Sequence, residues 1–158
     1  MSTPLRPVRL VSTAALLLVM AFLILQALGY GIGFFVDPAS GVGEFASPPP
    51  DPVDELTVAL VGQVGVGMLG TAMLLALAGF LVVRRNPAGP CITMVVGAVY
   101  VLAGISAWRS EWAWDAYFYG GGGAVLFVLS LLVWWLMRRD SPPGNVSSTP
   151  NSIQGGQP

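Results

Sequence analysis

The chain has 158 residues, of which 54% are hydrophobic and only 9% are charged, with 7 basic and 8 acidic side chains. A soluble domain carries charge on roughly a quarter of its residues, so this composition cannot cover a surface that faces water. The single cysteine and the absence of histidine exclude a disulfide scaffold and a histidine-based metal site. The composition therefore predicts an integral membrane protein.

Four long uncharged blocks are each able to cross a bilayer, which takes about 20 apolar residues in a helix. We predict transmembrane helices over residues 10–35, 56–83, 90–108 and 120–137. The first block follows Arg6 and Arg9 and could instead be a cleaved signal peptide. However, its uncharged stretch is longer than the about 7 to 15 residues of the hydrophobic region of a signal peptide, and no clear small-residue cleavage site follows it. We therefore expect it to be retained as the first span.

The composition of the segments outside the spans predicts what each of them forms. We expect an N-terminal segment over 1–9, an acidic proline-rich loop over 36–55, a tight turn over 84–89 and a second loop over 109–119. Residues 138–158 are rich in Ser, Pro, Gly, Asn and Gln, which cannot bury a core, so this tail is expected to be disordered. Asp51-Pro52 and Asn86-Pro87 both have the pattern of an N-cap followed by proline at the first helical position, before the second and third spans.

Positive charge is concentrated on one side of the spans. Six arginines fall on that side, while the loop over 36–55 has five acidic residues and no basic one; the arginines are Arg6, Arg9, Arg84, Arg85, Arg138 and Arg139. Arginine close to a span is retained in the cytoplasm, so both termini are predicted to be cytoplasmic. The fold class expected is all-α, with four transmembrane helices in an antiparallel up-down-up-down bundle.

The tryptophans lie near the ends of the spans. Trp108 and Trp112 fall at the outer end of the third span, and Trp134 and Trp135 lie one turn before Arg138. The amphipathic indole ring prefers the headgroup region of a bilayer. The alternative, stacking on nucleic-acid bases, needs a basic groove, which this sequence lacks. The expected partner is therefore the lipid bilayer, and no nucleic acid is expected.

Small and polar residues predict where the helices touch, because close approach and hydrogen bonds hold helices together in lipid. One stripe comprises Gln26, Gly29 and Gly33 in the first span, and a second comprises Gln63, Gly67 and Gly70 in the next; Gly97 and Gly104 mark the third. We predict that the first two stripes face each other and that the two amides meet. The alternative is that the glutamines form a polar patch for a substrate.

The spans offer little for chemistry. No ionisable residue of the kind that couples transport to protons or ions lies inside any of them, and Cys91 has no second thiol for dithiol redox chemistry. The acidic residues of the loop over 36–55 could hold Ca²⁺, but their spacing matches no known calcium loop. The prediction is a protein that is not an enzyme, with no catalytic residue, no metal site and no cofactor.

The chain resembles the small four-helix inner-membrane proteins of bacteria, and among them the DoxX-like group. The likeness rests on the four spans, on Asp37-Pro38 after the first and on the turn Asn86-Pro87-Ala88-Gly89, and it covers most of residues 5–138. The resemblance implies a bacterial inner membrane. Because some DoxX-like proteins are associated with respiratory or redox complexes, it also implies a place beside such a complex.

Two functional hypotheses follow. The first is a non-enzymatic subunit or stabiliser of a membrane complex, which contacts a partner through its spans or through the loop over 36–55. The alternative is a bundle that binds a lipid or a quinone between the outer halves of the first two spans, or an uncoupled carrier. This alternative requires a cavity near Gln26 and Gln63, and a fully packed bundle there would count against it.

Overall fold

The computed structural model describes residues 5–45, 54–109 and 116–139. It consists of helices α1 (Leu5–Val36), α2 (Pro38–Phe45), α3 (Glu55–Val83), α4 (Ala88–Arg109) and α5 (Gly122–Arg139), with a π-helical turn, Ala116–Gly121, directly before α5. The described ranges contain no β-strand. Four helices are long and apolar enough to cross a membrane: α1, α3, α4 and the helix that runs from the π-helical turn through α5. The prediction of an all-helical chain with four such helices is confirmed.

The acidic loop between the first two spans contains a helix that the sequence analysis did not predict. At its start, the Asp37 carboxylate accepts a hydrogen bond from the Ser40 backbone N–H at 3.3 Å, and Pro38 occupies the first helical position. Gly41 lets this helix lie close to α1 and α3, because a Cβ there would come within 2.6 Å of Phe34 and 2.8 Å of Val61. The prolines at positions 48–50 lie outside the described residues.

The start of α3 corrects a second prediction. Its N-cap is Asp54, whose carboxylate accepts hydrogen bonds from the backbone N–H of Thr57 at 2.6 Å and from the Thr57 hydroxyl at 2.9 Å. Asp51 and Pro52, the predicted cap and first helical residue, lie outside the described residues. The Asp54 carboxylate thus satisfies one of the free N–H groups at the start of the helix and binds the hydroxyl of the same residue, Thr57.

The predicted turn between the second and third spans adopts a compact form. Arg85 takes the left-handed conformation, with φ of 56°, and its N–H donates to the Val82 carbonyl at 3.0 Å while the Asn86 N–H donates to the Leu81 carbonyl at 2.9 Å. These two bonds define a Schellman motif at the end of α3. The Asn86 side chain then accepts from the Ala88 N–H at 2.9 Å, which caps the start of α4 in the predicted way.

The four long helices form a ring in which each packs against two neighbours: α1 contacts α3 and α5, and α4 contacts α3 and α5. Successive long helices run antiparallel, because later positions on one helix meet earlier positions on the next. A Cβ on Gly65 would lie 3.0 Å from the Gly31 carbonyl oxygen, whereas one on Gly79 would lie 3.5 Å from the earlier Met20 side chain. The core between the helices consists of apolar side chains, among them Leu16, Met20, Leu23, Leu75, Leu126 and Val133.

The buried hydroxyl groups of Thr93 and Ser130 lie in this apolar core without linking the helices. The Thr93 hydroxyl donates to the carbonyl oxygens of Gly89 and Pro90, and the Ser130 hydroxyl donates to that of Leu126 at 2.6 Å. These three hydrogen bonds stay within the helix that carries the residue. The contacts between these helices therefore depend on shape, in particular on where glycine permits close approach.

Candidate functional site

The contact between α1 and α3 uses different glycines from those that the sequence predicted. Gly31 and Gly65 are buried at the crossing, and a Cβ on Gly65 would lie 2.8 Å from the Phe35 backbone nitrogen. Gly29 and Gly33 on α1 have nothing within 4 Å of the place where a Cβ would be. The prediction that these two residues form the contact is therefore wrong within the bundle.

The same correction applies to the matching stripe on α3. Gln63, Gly67 and Gly70 are all exposed on the outside of the bundle, and a Cβ on either glycine would meet nothing within 4 Å. Thr71 lies beside them, with its hydroxyl donating to the Gly67 carbonyl at 3.0 Å. We call these four residues the Gln63 face. Gly65 lies on the opposite side of the helix and makes the contact that the sequence assigned to Gly67 and Gly70.

The two glutamines do not meet. Gln26 is half-buried and lines a small void between the helices together with Tyr30, Tyr100 and Tyr119, whereas Gln63 does not line it. The rings of Tyr100 and Tyr119 meet edge to face with their centroids 5.7 Å apart. The volume of the void is about 10 Å³, which is close to the minimum for one water molecule. A lipid chain or a quinone ring cannot enter this void.

The predicted glycines of the third span do lie at a helix contact. Gly97 is buried, and a Cβ there would lie 2.9 Å from both the Gly123 carbonyl oxygen and the Phe127 backbone nitrogen. Gly104 is also buried, and the π-helical turn approaches it closely enough that a Cβ on Gly120 would lie 3.6 Å from the Gly104 Cα. Gly97 and Gly104 therefore provide the close approach between α4 and the chain that leads into α5.

Arginine residues gather at one end of the bundle, which we call the arginine end. Three of them rest on aromatic rings one turn earlier in their own helices: Arg84 over Phe80 at 4.8 Å, Arg138 over Trp134 at 4.1 Å and Arg139 over Trp135 at 4.3 Å. Each distance joins the guanidinium carbon to the ring centroid and is within the range of a cation–π contact. Of the four arginines predicted as anchors at this end, Arg84, Arg138 and Arg139 thus lie over a ring, and Arg85 is exposed.

The opposite end carries acidic residues and a different aromatic contact. Asp37, Asp54 and Glu55 lie there among the described residues. Trp108, which is 62% exposed, meets Tyr117 edge to face with a centroid distance of 5.9 Å. Trp112, the other predicted anchor on this side, lies outside the described residues.

Reactive and metal-binding groups are sparse in the part of the chain that the structure describes. Cys91 is exposed at the start of α4, and the described residues contain no group of three acidic, histidine or cysteine side chains that could hold a metal ion. Asp54 is fully exposed, and its hydrogen bonds from the backbone and hydroxyl of Thr57 hold its pKa below the ordinary value. The lowered pKa is a result of helix capping by Asp54 and does not indicate catalysis.

Two features of interest were not identified from the sequence. The first is the pair of Gly31 and Gly65. The sequence leaves this pair undetermined because Gly31 falls on the opposite face of α1 from Gly29 and Gly33, and either face has glycine. The second is the tyrosine cluster around Gln26, which brings together residues from α1, α4 and the π-helical turn. Comparison of the chain with known protein families, with curated proteins and with solved structures gave no match.

Proposed function

We propose that this chain is a non-enzymatic subunit or stabiliser of a larger membrane complex and that it binds its partner through the Gln63 face. The observation that carries the proposal is a polar amide on the outside of a helix able to span a membrane, flanked by two open glycines. A side-chain amide in hydrocarbon lacks water as a hydrogen-bond partner. Small residues beside it allow the backbone of another helix to come close enough to accept or donate that bond.

Charge supports an orientation for the proposed subunit. The arginine end is the cytoplasmic end under the rule that arginine near a span is retained inside, so both termini lie in the cytoplasm. Gln63 then lies in the outer half of the membrane, since it is only two helical turns from the start of α3, and the rest of the Gln63 face extends to about the middle of the helix. The resemblance to DoxX-like proteins suggests a respiratory or redox complex in a bacterial inner membrane as the setting.

The alternative function, a lipid or quinone site inside the bundle or an uncoupled carrier, has less support. Such a site needs a cavity beside Gln26 inside the bundle, and the void there holds about one water molecule. Gln26 also lines a hollow of about 430 Å³, but this hollow is open and is lined by residues of α1 alone, so it does not lie between two helices. The second glutamine, which was to complete the site, is on the outer surface of α3. A partner helix accounts for Gln63 with no rearrangement of the bundle.

Photocrosslinking in the native membrane tests the proposed contact. A photoreactive residue in place of Leu74, which continues the Gln63 face by one turn and is 49% exposed, should form an adduct with one defined partner protein. Introducing Gly67→Ile into the same chain should reduce that adduct at least about fivefold, because the added side chain fills the open surface. Ala103→Ile, which adds bulk to an exposed position of α4, is the matched control and should leave the adduct unchanged.

Three outcomes would contradict the proposal. Adducts with lipid alone would show that the Gln63 face is covered by the bilayer. An adduct that survives Gly67→Ile would place the contact on another surface. An adduct with twice the mass of the chain would assign the face to self-association and not to a partner protein.

A further inference from the structure

A groove opens at the arginine end between α1, the end of α3 and α5. Its lining includes Arg9 and Thr13 from α1, Arg85 from the turn after α3 and Met137 from α5. Its volume is about 670 Å³, which lies within the range of small-molecule sites in proteins. The groove is at the opposite end of the bundle from the void beside Gln26, and Gln63 does not line it.

All the charged residues that line the groove are arginines. Arg9 is half-buried at its wall, and Arg85 is exposed at its rim. The other arginines with described side chains at this end, Arg84, Arg138 and Arg139, do not line the groove and lie over aromatic rings. No acidic side chain is found at this end within residues 5–45, 54–109 and 116–139. An anion that enters the groove therefore meets the side chains of Arg9 and Arg85, which both line it.

The backbone fixes the place from which Arg85 reaches the groove. The residue is held in the left-handed conformation by the two hydrogen bonds of the Schellman motif. This conformation is one that residues other than glycine rarely adopt. Arg85 therefore projects from a defined turn, and only its side-chain torsions remain to be ordered when a ligand binds.

The remaining lining of the groove is apolar and continues toward the membrane interior. It is formed by Leu10, Ala14 and Leu17 of α1 and by Val82 and Val83 at the end of α3. Leu10 and Val83 are exposed by 72% and 66%. A free inorganic anion would leave this apolar surface unused, whereas an acyl chain would cover it and gain from dispersion contacts along its length.

We propose that this groove binds one anionic phospholipid, with its phosphate between Arg9 and Arg85 and an acyl chain along the apolar wall. Guanidinium groups bind phosphate oxygens through paired, charge-assisted hydrogen bonds. Thr13 also lines the groove, and its hydroxyl group supplies a further donor for the phosphate. Basic grooves between membrane helices are suited to phospholipid headgroups for this reason. The site is separate from the Gln63 face and does not depend on the proposed function.

The full-length protein in nanodiscs of phosphatidylcholine, titrated with phosphatidylglycerol, provides the test. Native mass spectrometry should show one phosphatidylglycerol molecule retained per chain. Arg85→Gln should weaken its binding about tenfold, because a charge-assisted hydrogen-bond pair is lost. Arg84→Gln removes the same charge one residue earlier, outside the groove, and should change binding by no more than about threefold through surface charge alone.

Two further variants keep the result interpretable. Arg9→Gln should weaken phosphatidylglycerol binding by a factor similar to that of Arg85→Gln. Ala14→Trp leaves every charge in place and fills the apolar wall at an exposed position, so it should weaken binding of phosphatidylglycerol without lowering the thermal midpoint in pure phosphatidylcholine. Inorganic phosphate and glycerol phosphate, which lack acyl chains, should compete only weakly.

The proposal is overturned by any of four results. Equal weakening by Arg84→Gln and Arg85→Gln would show a diffuse surface attraction. Full competition by glycerol phosphate, or unchanged binding in Ala14→Trp, would show an anion site with no place for an acyl chain. Equal retention of phosphatidylcholine and phosphatidylglycerol would show that the arginines do not select the lipid.

Discussion

Both faces of α3 carry glycine, but the glycine on the inner face is crowded by a neighbouring helix and those on the outer face are not. On the inner face, Gly65 is pressed against the backbone of α1, so that a Cβ would come within 3.0 Å of the Gly31 carbonyl oxygen. On the outer face, Gly67 and Gly70 have open space where a Cβ would be. The first glycine is required by the fold of the chain, while the other two are free to serve contacts with another molecule.

The difference shows that small residues do not by themselves identify a packed helix face in a membrane protein. Lipid tails and the interior of the bundle are similarly apolar, so polarity distinguishes the two faces poorly. The two faces differ in whether the backbone of a neighbouring helix lies close to the glycine. Substitution of each glycine by alanine tests this closeness, because the one added methyl group lowers stability only where the neighbouring backbone is in the way.

The largest effect is expected at the contact between α4 and α5. In Gly123→Ala the new methyl group would lie 2.7 Å from the Gly97 carbonyl oxygen and 2.8 Å from the Val101 backbone nitrogen. Neither backbone atom can move without separating the helices, so we expect a loss of about 3 kcal/mol of stability. Steric-trap or denaturant unfolding in detergent measures it, and a loss below about 1 kcal/mol would contradict the close approach described for this pair.

Substitution of glycine by alanine is expected to change stability in opposite directions on the two faces of α3. Gly65→Ala should destabilise the protein by about 2 kcal/mol, because its methyl group would meet the backbone of α1. Gly67→Ala should stabilise the isolated protein by about 0.5 kcal/mol, since alanine is the better helix former and nothing crowds the site. Parallel unfolding of the two variants and the parent gives the comparison. A similar loss in both would mean that Gly67 is also packed within the bundle.

A smaller effect separates the two glutamines. Gln26 lies at the tyrosine-lined void and Gln63 on the outside of α3, so Gln26→Leu and Gln63→Leu should change stability independently. The double variant should equal the sum of the single variants within about 0.5 kcal/mol. An interaction energy of about 1 kcal/mol or more in this double-mutant cycle would restore the pairing that the sequence suggested.

The smallest effect concerns the cap of α3 at the acidic end. The pKa of Asp54 is lowered in the folded protein by the backbone N–H and the hydroxyl of Thr57. Its contribution to stability is therefore present above the unfolded pKa of about 3.9 and is lost as the pH falls through the lower folded value. Unfolding of the parent and of Asp54→Asn from about pH 6 to about pH 2 tests this. The stability difference between them should shrink with acidification, and a constant difference would exclude the carboxylate as its cause.

The sequence was sufficient for the number and approximate limits of the long helices, because only an uncharged run of about 20 residues can span a bilayer. It was also sufficient for the cap at Asn86, because the side chain of this residue binds a backbone N–H only two residues later. It was insufficient for α2, where Gly41 and Gly43 obscure the helical pattern and where the packing of Gly41 on Phe34 and Val61 is a tertiary effect.

The candidate sites were harder to predict for a related reason. Alternate glycines on α1 face different directions, and the neighbour that selects Gly31 over Gly29 and Gly33 lies more than 30 residues away. The groove at the arginine end likewise combines Arg9 with Arg85 from distant parts of the chain. Charge counting placed both arginines at the same end, but only the antiparallel arrangement of the helices places them in one groove.

The ring of helices also has a consequence for how the chain is assembled. The most extensive contacts join α1 to α3 and α4 to α5, and each of these pairs is consecutive among the long helices. Each pair can therefore close as soon as its second helix enters the membrane during synthesis. Docking of the two finished hairpins then forms the contact between α3 and α4, which the turn at Arg84–Gly89 joins, and the contact between α1 and α5. The order of translation thus coincides with the order of contact formation, and early hairpins need not wait for the carboxyl-terminal helix.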